Sequence, residues 1–191
     1  TVLQGMHRSY EGAGLGENLD PIEVAGTFET EGGTTLAEAG GTSASVRGDE
    51  AGTSRVSYSA EGHTARKDLR VLGEAIGLRA SSRALNLAEV GDTAELTVDG
   101  FDSDGRSARV ESRDLEVEAS DGIDVSVDGL GNHVVTATEE TPGGSVTFTA
   151  GDATTSVPVT VGTEVTDVVD FSDLDAFSDE TARATGSFSA G

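Results

Sequence analysis

The sequence predicts an all-β chain built as two tandem β-sandwich domains, and three observations carry that prediction. Short segments alternate apolar and polar residues with the two-residue period of half-buried strands. Clusters of turn-forming residues separate them. A pattern of inward positions then recurs at a fixed distance along the 191 residues.

Taken in order, the first strand candidates are TVLQGMHRSY (residues 1–10) and IEVAGTFET (residues 22–30), whose alternation is weak. RVSYSAEGHTARKDLRV (residues 55–71) alternates more clearly. In the second half TAELTV sets Ala94, Leu96 and Val98 on one face, and LEVEA does the same with Leu115, Val117 and Ala119. IDVSV alternates Ile123, Val125 and Val127; SVTFTA alternates Val146, Phe148 and Ala150; SVPVTV alternates Val157, Val159 and Val161. VDGFDSDGRS, SDG, DGLGN, TPGG and AGDAT lie between them as turns. Pro158 has no N–H to give to a ladder, so its strand is expected at an edge or with that position facing outward.

Residues 55–71 can be laid without gaps on SVTFTAGDATTSVPVTV (residues 145–161), at an offset of 90 positions. Val56 falls on Val146, Tyr58 on Phe148, Ala60 on Ala150, Leu69 on Val159 and Val71 on Val161. Every matched position is an inward one, so Tyr58 and Phe148 are expected in cores. A period of this size suits an immunoglobulin-like sandwich. It predicts an immunoglobulin-like domain over residues 1–73 and a second over residues 74–162, with the boundary near Gly73. The first is expected to be clipped at its start or to lack its first strand. Residues 163–191, with Asp170, Asp173, Asp175 and Asp179, read as an acidic linker or the start of a further β-rich module.

LNLAEVGDTAELTVDGFDSDGRS (residues 85–107), VDGLGNHVVTAT and the closing TTSVPVTVG resemble the bacterial immunoglobulin-like (BIg) domains. The likeness lies in a Gly-Asp-Thr entry to an alternating strand and an Asp-rich turn closed by Asp-Gly. It covers about 90 of the 191 residues, and the first domain shares only the closing strands. It implies tandem modules of secreted and surface proteins. The order LRVLGE, BIg-like domain, VPVTVG, then VVDFSDLDAF and RATGSFSAG looks like part of actinobacterial phosphodiester glycosidase-type proteins. That resemblance implies a catalytic domain outside this chain and places no catalytic residue within it.

The composition narrows the partners. Asp and Glu number 35 against 12 Lys and Arg, a formal net charge of −23. Nucleic acid is therefore a poor partner, because phosphate neutralisation needs clustered cations. Anionic membrane surfaces are excluded on the same ground, and no segment has the apolar length of a membrane span. No Cys is present, which removes disulfides and thiolate metal sites.

The stretch VDGFDSDGRSARVE (residues 98–111) holds the most suggestive acidic cluster. Counting back from Gly105 as position 6 of an EF-hand loop puts Asp104 at 5, Asp102 at 3 and Glu111 at 12. Gly100 then occupies position 1, which needs a carboxylate, and a strand precedes the loop instead of a helix. An interstrand hairpin is the better reading; the remaining metal candidate is a calcium ion held by Asp99, Asp102 and Asp104. GAGLGEN (residues 12–18) has Glu17 where a dinucleotide fingerprint needs Gly, so it reads as a flexible loop. His7, His63 and His133 stand alone in sequence, and no G-x-S-x-G elbow occurs. Phe101, an aromatic in the Asp-rich turn, is expected to fold back over the end of the sandwich. Tyr10, Phe171, Phe177 and Phe188 are the other aromatics open to stacking on a sugar.

Together these features predict a non-catalytic spacer of a larger extracellular or cell-surface bacterial protein, with neighbouring domains of the same polypeptide as its partners and no cofactor required. The alternative is a module that binds carbohydrate, such as a cell-surface glycan, through its end loops with the help of calcium.

Overall fold

The computed structural model describes residues 1–162; the acidic segment 163–191 and its Phe residues lie outside the described residues. Nineteen strands and one short 3₁₀ turn make up the described chain. They are β1 (Val2–Leu3), β2 (His7–Glu11), β3 (Gly14–Leu15), β4 (Pro21–Ile22), β5 (Thr27–Glu31), β6 (Thr34–Ala39), β7 (Ser43–Gly48), β8 (Gly52–Ala60) and β9 (His63–Leu72). After Gly73 come β10 (Gly77–Ala80), β11 (Leu85–Leu87), β12 (Thr93–Leu96), β13 (Val98–Phe101) and β14 (Ser107–Arg109). The 3₁₀ turn (Ser112–Asp114), β15 (Glu116–Ala119), β16 (Ile123–Val127), β17 (His133–Ala137), β18 (Gly144–Ala150) and β19 (Ala153–Val161) complete it.

The strands form two sandwiches, and no sheet takes strands from both sides of Gly73. The first packs the sheet β1-β9-β8-β5 against β2-β7-β6; the second packs β11-β19-β18-β15 against β12-β17-β16. The sheet orders match strand for strand. In each, a short opening strand runs parallel to the last one: Val2 beside Val71, and Leu87 beside Val161. In each, a small hairpin is inserted after the second sheet's first strand, β3–β4 in the first sandwich and β13–β14 in the second. β10 has no counterpart among the strands of residues 1–72.

The repeated segment supplies the centre of both cores. Val56, Tyr58, Leu69 and Val71 are buried on β8–β9, as are Val146, Phe148, Val159 and Val161 on β18–β19. Both hairpins close through two residues and keep the same register, Val56 opposite Lys67 and Val146 opposite Val157. Phe28 stacks at a tilt on Tyr58, ring centroids 4.6 Å apart. The Tyr58 hydroxyl lies within reach of the carbonyls of Val24 and Gly41 and shares its one proton between them, so the polar end of this core ring is satisfied. Gly12 and Gly26 lie against its ring, where any added Cβ would collide.

Two details differ from the sequence expectations. GAGLGEN is not a loop throughout, since Gly14–Leu15 pairs with Pro21–Ile22. Phe101 is the last residue of β13, opposite Gly77, and a Cβ on Gly77 would collide with its ring. Pro158 meets the second of its two expectations: β19 is not an edge strand, but β11 covers only Val159–Val161, and Pro158 is exposed just before that doubly paired part.

β12 and β13 are one strand that changes sheets at Thr97. Up to Leu96 it pairs with β17; from Val98 it pairs with β10. Ser81 holds the switch, donating its N–H to the Thr97 carbonyl and accepting the Thr97 N–H on its Oγ. The strand's far end thus leaves its own sandwich and projects, with β14, toward the first.

Candidate functional site

The acidic stretch 98–111 lies where the two sandwiches meet. The turn of β13–β14 is organised by Asp102, which is only 2% exposed. Its Oδ1 accepts the N–H groups of Asp104 at 3.0 Å and Arg106 at 2.9 Å. Its Oδ2 accepts the N–H of Gly73, the residue joining the sandwiches, at 3.3 Å. Burial on its own raises this carboxyl's pKa. The N–H donors of Arg106, Gly73 and Asp104, with the Arg106 guanidinium nearby, outweigh that and hold it below the usual carboxylate range.

The other acidic residues of the stretch also have partners. Asp104 pairs with Arg106 at 2.9 Å in solvent. Asp99 lies in the middle strand of its sheet, in register with Arg79 on one side and Arg109 on the other. Glu111 reaches across to the first sandwich, where its oxygens accept the Ser9 N–H at 2.5 Å and the Ser9 hydroxyl at 2.7 Å. The residues of the EF-hand count therefore diverge. Among the described residues, no group of three or more His, Asp or Glu side chains is disposed to hold a metal ion.

Glu111 acts with its neighbours on the edge strand β2. Asp114 accepts the backbone N–H of His7 at 2.7 Å, and its other oxygen lies 2.6 Å from the His7 ring Nδ1. Arg113 reaches Glu38 at 3.1 Å and the buried Ser45 hydroxyl at 3.0 Å. One short segment of the second sandwich thus takes alternate N–H groups of a strand edge that would otherwise be open to pairing. Beneath this polar layer the contact is apolar. Leu3 is 1% exposed and its Cδ1 lies against Gly100, where a Cβ would sit 2.6 Å away. The buried apolar residues of both sandwiches form one connected cluster.

An open cleft of about 470 Å³ flanks the junction, lined by Arg8, Arg109, Arg113, Glu111 and Leu130 among others. Arg109 is anchored within it by the side chain of Asn132 at 2.6 Å. Asn132 in turn donates to Asp128 at 2.9 Å. The N–H of Asn132 is the main cause of the lowered Asp128 pKa; burial opposes it, and Leu130 and Gly131 add to it. Among the described residues, no aromatic side chain lines the cleft.

His133 begins the inward row of β17 with Val135 and Ala137 and is 2% exposed. Its ring meets Phe148 edge-on at 4.9 Å, and neither nitrogen has a hydrogen-bond partner among the described residues. Burial first, then the Arg109 charge, holds its pKa below the ordinary histidine value, so it is neutral in the core. The His133, Val135, Ala137 alternation was the available signal for this position.

No family model matches the sequence, and no curated protein matches it. Solved structures with a similar course include domains 5–6 of the S-layer protein SbsC, at 12% identity and a TM-score of 0.42, covering 85% of this chain and 93% of that one. A chimeric titin Z1Z2 aligns at 14% identity and a TM-score of 0.29, covering 86% and 93%. A glycosyl hydrolase family 2 member from Bacteroides cellulosilyticus aligns at 14% and 0.36, covering 64% of this chain and 19% of that one. Among the described residues, no helix is long and apolar enough to cross a membrane.

Proposed function

We propose that residues 1–73 and 74–162 are two immunoglobulin-like units of the bacterial BIg type, acting as a non-catalytic spacer in a larger secreted or cell-surface protein. Their work is to hold a neighbouring module at a set distance and angle. The resemblance to phosphodiester glycosidase-type proteins makes a hydrolase the first candidate for that module. The observation that carries this reading is the junction, where Glu111 and Asp114 hold the backbone of β2 while Leu3 packs on Gly100. Polar bonds to backbone donors set an orientation, and the apolar contact beneath resists swivelling.

The chain has no Cys, so Arg66→Cys with Glu118→Cys gives one spin-label pair, one label in each unit. A single narrow distance distribution is expected. A broad one would refute the stiff spacer. The competing reading, a binding module, draws on the arginine-lined cleft and on calcium at Asp99, Asp102 and Asp104. Calorimetry with calcium and with a glycan panel is expected to give no heat. Heat with calcium that vanishes in Asp104→Asn would turn the assignment toward binding.

A further inference from the structure

The first sandwich has a cleft of about 490 Å³ between the β3–β4 hairpin and the β8–β9 hairpin, bordered by Gly14, Leu15, Tyr58, His63 and Ala65. In the second sandwich β10 lies on the corresponding face, leaving only a cleft of about 340 Å³ at the tip of the β18–β19 hairpin, beside Ala150, Gly151 and Asp152. There β10 pairs with β13 on one side and lies against β18 and β19 on the other, burying Leu78 and Ala80. The repeat makes the positions comparable. β19 buries Ala153 and Val157, whereas their counterparts on β9, His63 and Lys67, are exposed. Leu15 and Ile22, at 68% and 46% exposure, stand uncovered on the inserted hairpin. One sandwich thus shows what covers this face, and among the described residues the other has no such strand.

We propose that the cleft is an open strand slot. Its occupant is an extended segment with small or apolar residues at alternate positions, supplied by the same polypeptide on the N-terminal side of β1. The second sandwich sets the direction, since β10 comes from just before β11, and Val2 occupies the place of Leu87 beside the last strand. Charge sets the outward face. Residues 9–46 contain no Lys or Arg, and Glu17, Asp20 and Glu23 lie on or beside the hairpin. A strand entering here carries a basic residue outward, as β10 carries Arg79 at 71% side-chain exposure opposite Asp99. Ladder bonds to β3 and the apolar side chains in the cleft together hold it, in the manner of an added strand.

The slot rests on the equivalence of the two sandwiches and not on the spacer role, so its test is separate from the spin-label measurement. A copy of residues 74–85 is placed directly before Thr1 of the full chain. Expected are shifts of the Gly14, Leu15 and Ala65 amide resonances and a rise in thermal midpoint of roughly 5 °C. Both are expected to be lost when the copied leucine equivalent to Leu78 is changed to Asp, or when Ala65→Glu blocks the exposed cleft wall. Unshifted resonances at those residues would overturn the proposal, as would a rise that survives either change. Dimerisation of the unextended chain through this face would also overturn it, by showing a second copy as the occupant.

Discussion

The β8–β9 and β18–β19 hairpins share a two-residue turn, a register and four inward positions, Val56, Tyr58, Leu69 and Val71 matching Val146, Phe148, Val159 and Val161, yet their surroundings differ. Around Phe148 the core is closed, with His133 against the ring and β10 along the outer side. Around Tyr58 it is open at one end, and a hydroxyl takes up the slack by binding two carbonyls. The same strand pattern thus supports a fully enclosed centre in one sandwich and a buried centre bordered by an open cleft in the other. Inward alternation specifies which residues face the core; the coverage of that face depends on a strand that is distant in sequence.

Phe148→Ala gives the largest expected effect, a loss of about 3–5 kcal/mol, because a closed core cannot collapse onto the vacancy. Tyr58→Ala is expected to cost less, since water reaches that end of the first sandwich; equal losses in urea titrations would end the comparison. Next comes Leu3→Ala, at about 2–5 kcal/mol. Leu3 joins the two cores, so the variant is expected to split one unfolding transition into two, as seen by calorimetry.

His133 gives a smaller, pH-dependent effect. Its folded pKa lies below 6.5, so under that pH the unfolded chain takes up a proton that the folded chain refuses. Stability is therefore expected to be flat above pH 6.5 and to fall as pH drops toward the folded pKa, by at most about 1.4 kcal/mol per unit. His133→Leu removes this slope; a slope that persists assigns it elsewhere. Asp102 and Asp128, both depressed, act in a separate window, losing their contribution as pH falls below the ordinary carboxylate range through their folded values. The smallest effect concerns the hairpin turns. Glu61 has a φ of +47° beside Gly62 at +81°, whereas Gly151 carries the positive φ of the second turn. Glu61→Asn gives the Asn-Gly pair that a type I′ turn favours. A gain of about 0.5–1 kcal/mol is expected in the first sandwich.

The repeat was legible because two gapless hairpins preserve spacing, and spacing is what a single sequence shows. The β3–β4 hairpin was not, since two-residue strands leave no alternation to detect. The sheet change at Thr97 was hidden as well: AELTVDGF alternates continuously, and the switch is made by Ser81, in another strand's turn. At the junction the limit is chemical. Asp102 and Glu111 look alike in sequence whether their oxygens face a cation or backbone N–H groups. Their actual donors, Gly73 and Ser9, lie 29 and 102 positions away.

The contact of Leu3 with Gly100 has a consequence for shape. It joins β1 of one sandwich to the inserted hairpin of the next, and these are different surfaces. Such a join is a screw operation, a fixed rotation with a fixed advance. Repeated along an array of like units, it produces a superhelical rod whose pitch is set by one interface and whose persistence length is set by that interface's stiffness. A substitution at Gly100 would then alter the path of the whole rod, with an end-point displacement that grows with every unit added.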